Sequence, residues 1–237
     1  MTHNATSGTA NTPSPLAGEG WGEGGATRLL DLLQVVDRSF PTGAFVHSAG
    51  LEWLAGEKLL SLQDVLRLRL SEQLGRFELV FLLRAYEGNA VALDARYHAR
   101  LMAREAREAS SQVGRQFLEN GVDLFDDAEL GAFAARTPHA HYPISFAVVA
   151  RALEIPIQGA ALTYAFQTVR GQVSAAQRLT RLGQTEAQRL IHSLKPAIED
   201  AVAIARETPL ELAGGFAPIL DIAAMAHERQ PVRLFVS

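Results

Sequence analysis

From Thr27 onward, leucine, alanine and valine recur every three to four positions, and short polar or Gly/Pro breaks separate the runs. That period gathers apolar side chains on one face of a 3.6-residue turn, so it predicts helices. Leu29, Leu30, Leu32, Leu33 and Val36 form the first apolar face, with Thr27 as cap. A second helix is expected from Ala44 to about Ala55, capped by Thr42 and ended at Gly56. Ser61, with Asp64 three residues on, opens a third that continues through Leu62, Val65, Leu66, Leu70 and Leu74. Gly75 is a candidate kink in it. Phe77 to Tyr86 is apolar nearly all round, the mark of a helix buried on several sides, with a strand as the rival reading.

After Gly88-Asn89 the spacing predicts one long helix over about Leu93 to Glu119, stopped by Asn120-Gly121. Its Arg104, Glu105, Arg107 and Glu108 read as a solvated face of ion pairs. A short acidic helix, Asp123 to Ala134, precedes a polar break over Arg136 to Tyr142. Pro143 leads into Ile144 to Leu153. Pro156 leads into a helix toward Arg170, weakened at Gly171 and resumed from Val173 to Arg181 with Arg178 and Arg181 outward. Thr185 and Gln188 have capping-box spacing for a helix to about Arg206, in which Pro196 predicts a kink near His192 or a break. Pro218 to about Ala226 is the last helix. The expected fold is an all-α, single-domain bundle of about eight to ten helices with no sheet and no fixed repeat.

One stretch departs from this pattern. Asp37 to Leu54 packs a Pro-Thr-Gly turn, two glycines, three aromatics, a histidine and two acids into a single corner. Pro41 fixes its own φ and disfavours helix at Phe40, so the first helix must end near Arg38. Gly43 permits the positive φ that such a turn uses. The corner contains no nucleophile–base pair, and it reads either as a packing device or as a site.

Composition narrows the rest. The chain has 237 residues, 48% hydrophobic and 20% charged, which is globular. Residues 1–26 are a Gly/Pro/Ser-rich leader that buries too little apolar surface to order itself. Residues 27–228 form the helical domain and 229–237 a C-terminal tail. A net charge of −4 offers no general attraction to phosphate backbones, so nucleic acid is not an expected partner. Without cysteine, disulfides and thiolate metal sites are excluded. No run approaches the length of a membrane span, and no signal peptide is present, so the reading is cytoplasmic with no membrane partner.

Catalytic signatures are missing: no Walker loop, no Gly-x-Ser-x-Gly, no His-Glu-x-x-His. His139 and His141 lie two apart in the polar break and are open to two readings, a solvated loop or half of a metal site. His47 is either a structural histidine or a bridge to a carboxylate such as Glu52. In the tail, Arg233-Leu234-Phe235 either frays or anchors in a partner's groove.

Four segments carry a resemblance. Phe40-Pro41-Thr42-Gly43-Ala44-Phe45-Val46-His47-Ser48-Ala49-Gly50-Leu51-Glu52 resembles the N-terminal signature of the urease accessory protein UreF family. Glu105-Ala106-Arg107-Glu108-Ala109-Ser110 with Gly114, Arg178-Leu179 with Leu182-Gly183-Gln184 to Gln188, and Arg233-Leu234-Phe235-Val236-Ser237 are similar to later segments of the same family, in order. The leader has no counterpart in it, and Pro231-Val232 departs from its usual tail.

The resemblance implies an all-α, dimeric, non-enzymatic chaperone. It would join UreD/UreH and the GTPase UreG and help place nickel in apo-urease, without a cofactor of its own. The implied partner-binding residues are Phe40, Pro41, Gly43, Phe45, His47, Ser48 and Glu52 in the corner and Arg233, Leu234 and Phe235 in the tail. Phe45 and Arg233 would face the GTPase, and the tail would order when UreD/UreH binds. Tyr164 and Phe166 are the expected homodimer contact. Two alternatives stay open: a helical metal-dependent enzyme using His139 and His141, or a direct activator of the GTPase through Arg233.

Overall fold

The computed structural model describes residues 24–43, 47–57, 59–230 and 234–235. Among these residues there is no strand, and the architecture is all-α. In chain order the helices are α1 (Gly25–Val35), α2 (Leu51–Glu57), α3 (Leu62–Leu68), α4 (Leu79–Glu87), α5 (Ala90–Arg100), α6 (Arg104–Phe125), α7 (Ala128–Arg136), α8 (Tyr142–Ala152), α9 (Ile157–Leu179), α10 (Gln184–Ser193), α11 (Lys195–Glu207) and α12 (Pro218–His227). A π-helical stretch, Arg69–Glu78, joins α3 to α4 and contains Gly75.

Helix α4 is the centre. Leu79, Val80, Phe81, Leu82 and Leu83 are consecutive, helical and all buried, so this helix is enclosed on every side. The strand alternative for this run is thereby excluded. Helix α8 is its main partner, buried from Pro143 through Ala150, and α6, α9 and α11 close around the pair. Phe77, Phe81 and Tyr97 stack or meet edge-on at 4.8–5.4 Å between ring centroids, adding aromatic contact to this core. A second, smaller cluster holds α2 and α12 to α3 and α9 through Leu51, Leu54, Val65, Ala175, Ala176, Leu220 and Ala223.

Several expected boundaries differ, each for a physical reason. Among the described residues of the stretch expected to be helical from Ala44, the helix begins at Leu51, because Ala49 (φ 51°) and Gly50 (φ 79°) turn the chain through the left-handed region first; the Thr42 N–H donates to Phe40 O at 2.8 Å. The long central helix is two helices. Arg107 breaks no pattern in sequence, yet its guanidinium binds the carbonyls of Leu101 and Met102, satisfying chain that has left α5 in extended conformation. Gly121 does not stop α6; it lies inside the helix, against Val149 of α8. Gly171 likewise sits within a continuous α9. Gly183 occupies the N-cap of α10 and no side chain caps it, so Thr185 and Gln188 form no capping box. The break at Pro196 is real: α10 ends before Leu194 and Pro196 sits in the first turn of α11. Ser61 does cap α3, accepting from Asp64 N–H at 3.2 Å.

No helix among the described residues is long and apolar enough to cross a membrane.

Candidate functional site

The corner begins with a turn closed by Asp37, which accepts from Ser39 N–H at 2.7 Å. Phe40 turns inward against Phe117 of α6, with ring centroids 5.4 Å apart. Pro41 and Gly43 remain exposed. Asn120 of α6 donates to Pro41 O at 2.9 Å, and Gln167 and Arg170 of α9 donate to Val36 O at 2.6 and 3.1 Å. The turn is thus pinned from two helices. Phe40, Pro41, Gly43 and His47 line a cavity of about 750 Å³ together with Arg69, Glu78, Tyr97 and Tyr164.

His47 is half-buried, and burial lowers its pKa. Ser48 is sealed inside. Gly50 is required as glycine, since a Cβ there would lie 2.9 Å from the backbone of Ala223 in α12 as well as at positive φ. The buried Arg69 donates to Ala49 O at 2.8 Å and to Gln73 Oε1 at 2.7 Å, which fixes the turn to the π-helical stretch.

Glu52, on the first turn of α2, is the junction. Its Oε1 accepts from Leu234 N–H at 2.8 Å, and its Oε2 from Phe235 N–H at 3.2 Å. The same Oε2 meets His227 Nε2 at 3.0 Å, while His227 Nδ1 meets Glu105 Oε2 at 3.1 Å. His227 thus bridges the two acidic side chains, one through each ring nitrogen. Burial raises the Glu52 pKa, but the N–H bonds from Leu234, His227 and Phe235 outweigh it and hold the group below the ordinary value. Phe235 is buried in the smaller cluster, and the Arg178 guanidinium lies 4.2 Å from its ring centroid. The side chain of Leu234 is 71% exposed.

The structure therefore brings together corner and tail, and it sorts the expected residues. Pro41, Gly43 and Leu234 are exposed, His47 and Glu52 half-buried, and Phe40, Ser48 and Phe235 buried within the chain. Phe45 and Arg233 lie outside the described residues, as do residues 1–23. Tyr164 is buried and donates its hydroxyl to Glu78 at 2.8 Å, so it faces this chain's own core; Phe166 is half-buried. Glu105 belongs to no solvated face but is buried, whereas Arg104 and Glu108 do pair on the surface at 3.1 Å. The histidine that reaches Glu52 is His227, which the sequence does not single out.

A second cluster lies apart from the corner. His98, His139 and His141 each offer one ring nitrogen, all within 4.8 Å of one another, and are the group among the described residues with the geometry to hold a metal ion.

A family model described as UreF matches residues 59–195. The chain is 36% identical over 221 residues to the urease accessory protein UreF of Paenarthrobacter aurescens (strain TC1), covering 90% of this chain and 99% of the relative. It is 33% identical to the protein of the same name from Bacillus sp. (strain TB-90) over 89% of this chain and 99% of that one. It is also 33% identical to that from Rhodopseudomonas palustris (strain BisA53), over 90% and 94%.

Proposed function

The chain belongs to the UreF family of urease accessory proteins, and from that premise we propose that it is a non-catalytic adaptor in urease maturation, joining UreD/UreH and the GTPase UreG while nickel is inserted into apo-urease. The observation that carries this reading is Glu52. One carboxylate holds the backbone of Leu234 and Phe235, so the corner and the tail, at opposite ends of the domain sequence, form one composite surface. A composite surface of this kind suits an adaptor, because a partner that grips the tail also senses the corner.

The exposed parts of that surface are Pro41, Gly43 and Leu234, with Ile222 and Met225 exposed on α12, which packs against α2. Apolar side chains left open on a helix that already buries its other face are material for a partner interface. The protein acts in the cytoplasm as a homodimer in this reading, with Phe166 on α9 as the surviving contact candidate.

The test is a pull-down with purified UreD/UreH and GTP-loaded UreG, using the full chain and a chain lacking Gln230 to Ser237. Loss of UreD/UreH capture on truncation is expected. Unchanged capture defeats the tail's role, and failure of the full chain to bind either protein defeats the adaptor reading.

A further inference from the structure

The loop between α7 and α8 holds its two histidines on a fixed scaffold. Asp94, fully buried on α5, accepts from Thr137 Oγ1 at 2.7 Å and from the backbone N–H groups of His139, Ala140 and His141 at 2.9, 3.0 and 2.8 Å. His98 stands one helical turn further along α5, so the carboxylate that folds the loop also sets His98 beside it. The carbonyl of His139 accepts from Ser111 on α6, which ties the loop from its other side.

The three rings are in contact. His98 stacks on His139 with centroids 3.6 Å apart and planes 8° from parallel, and His98 Nδ1 shares a hydrogen bond of 3.0 Å with His141 Nε2. His141 is fully buried, yet its Nδ1 has no hydrogen-bond partner among the described residues. A buried orphan nitrogen costs about 1–3 kcal/mol unless something binds it.

We propose that His98, His139 and His141 form a binding site for one late first-row divalent metal ion, of the Ni(II) or Zn(II) kind. Three imidazoles without carboxylate or thiolate favour these borderline ions over Mg²⁺ or Ca²⁺. Three ligands also leave coordination positions open for water and exchange. His98 lines a cleft of about 440 Å³ with Arg107, Glu108 and Ser111, which gives the ion an approach. The site stands independently of the adaptor reading.

Calorimetric titration of the tag-free full chain with Ni(II), and separately with Zn(II), tests it. One ion per chain is expected, with His98→Ala or His139→Ala each weakening binding by at least about tenfold and the double substitution abolishing it. Far-UV circular dichroism without metal checks the fold, and His98→Gln with His139→Gln replaces the alanine pair if that pair unfolds. Loading with Co(II) gives a second readout, visible d–d absorption from imidazole coordination, lost in the double variant. Absence of saturable binding overturns the proposal. So does binding that survives the double substitution, as it would if His3, His47, His192 or His227 held the ion.

Discussion

At the scale of single residues, Glu52 decides how the corner is held. Both of its oxygens accept N–H donors from the tail, and one also meets His227. Glu52→Gln keeps the shape, removes the charge and turns an amide toward groups that donate. Hydrogen bonds to charged groups contribute about 1.5–3 kcal/mol each, so a loss on the order of 2 kcal/mol in urea unfolding is expected. The folded-state pKa of Glu52 lies below its ordinary value of 4.5, so the unfolded chain takes up that proton more readily. Its contribution is therefore complete above pH 4.5 and is lost as pH falls through the folded-state value. The stability gap between wild type and Glu52→Gln should close over that acid range. A gap that stays constant from pH 7 to the acid limit would mean the charge is not what holds the tail. The corner itself was legible from Pro41, Gly43 and the cluster of aromatics. Its polar partner was not, because His227 lies 175 residues from Glu52 and sits alone at the end of a short helix. Glu105 was hidden by its neighbours: among alternating Arg and Glu, no spacing rule tells which acid points inward. The metal-site candidate was half legible, since His139 and His141 share a loop while His98 joins them only through the fold.

At the scale of elements, glycine explains both what could be read and what could not. Each glycine in a helical run is a reasonable break, because it costs about 1 kcal/mol relative to alanine. At Gly171 the buried neighbours Val169, Gln172 and Val173 outweigh that cost, and α9 runs through. At Gly114 the residue serves closeness: a Cβ there would lie 2.0 Å from Ala140 O and 2.4 Å from Tyr142 N. These two positions predict opposite signs. Gly114→Ala must push α6 away from the histidine loop and is expected to cost about 3 kcal/mol or more, read as a fall in thermal midpoint. Gly171→Ala meets nothing within 4 Å and is expected to stabilise by up to about 1 kcal/mol. The division of α5 from α6 had no such marker. It is made by Arg107 reaching back to two carbonyls, an interaction that a helical charge pattern conceals.

At the scale of the whole molecule, the α-class followed from hydrophobic period and the buried α4 from an apolar run set among helices, whereas the two-part core did not. The smaller cluster depends on Phe235, a residue almost at the terminus, which the apolar-basic tail left equally ready to fray or to anchor. It anchors in its own chain. This separates two effects that a simple tail deletion would merge. Phe235→Ala empties a buried position and is expected to cost about 2–4 kcal/mol, concentrated in the smaller cluster. Amide exchange in α2 and α12 should then accelerate while α4 and α8, held by the larger core, keep their protection. Leu234→Ala, at a side chain already in water, is expected to leave stability within about 0.5 kcal/mol. If Leu234 is an anchor for UreD/UreH, the same substitution weakens capture by about tenfold, the effect of removing a contact worth more than about 1 kcal/mol. A Leu234→Ala chain that is stable and binds normally would leave the tail as an internal clamp on α2 and α12, with the exposed faces of those helices as the remaining partner surface.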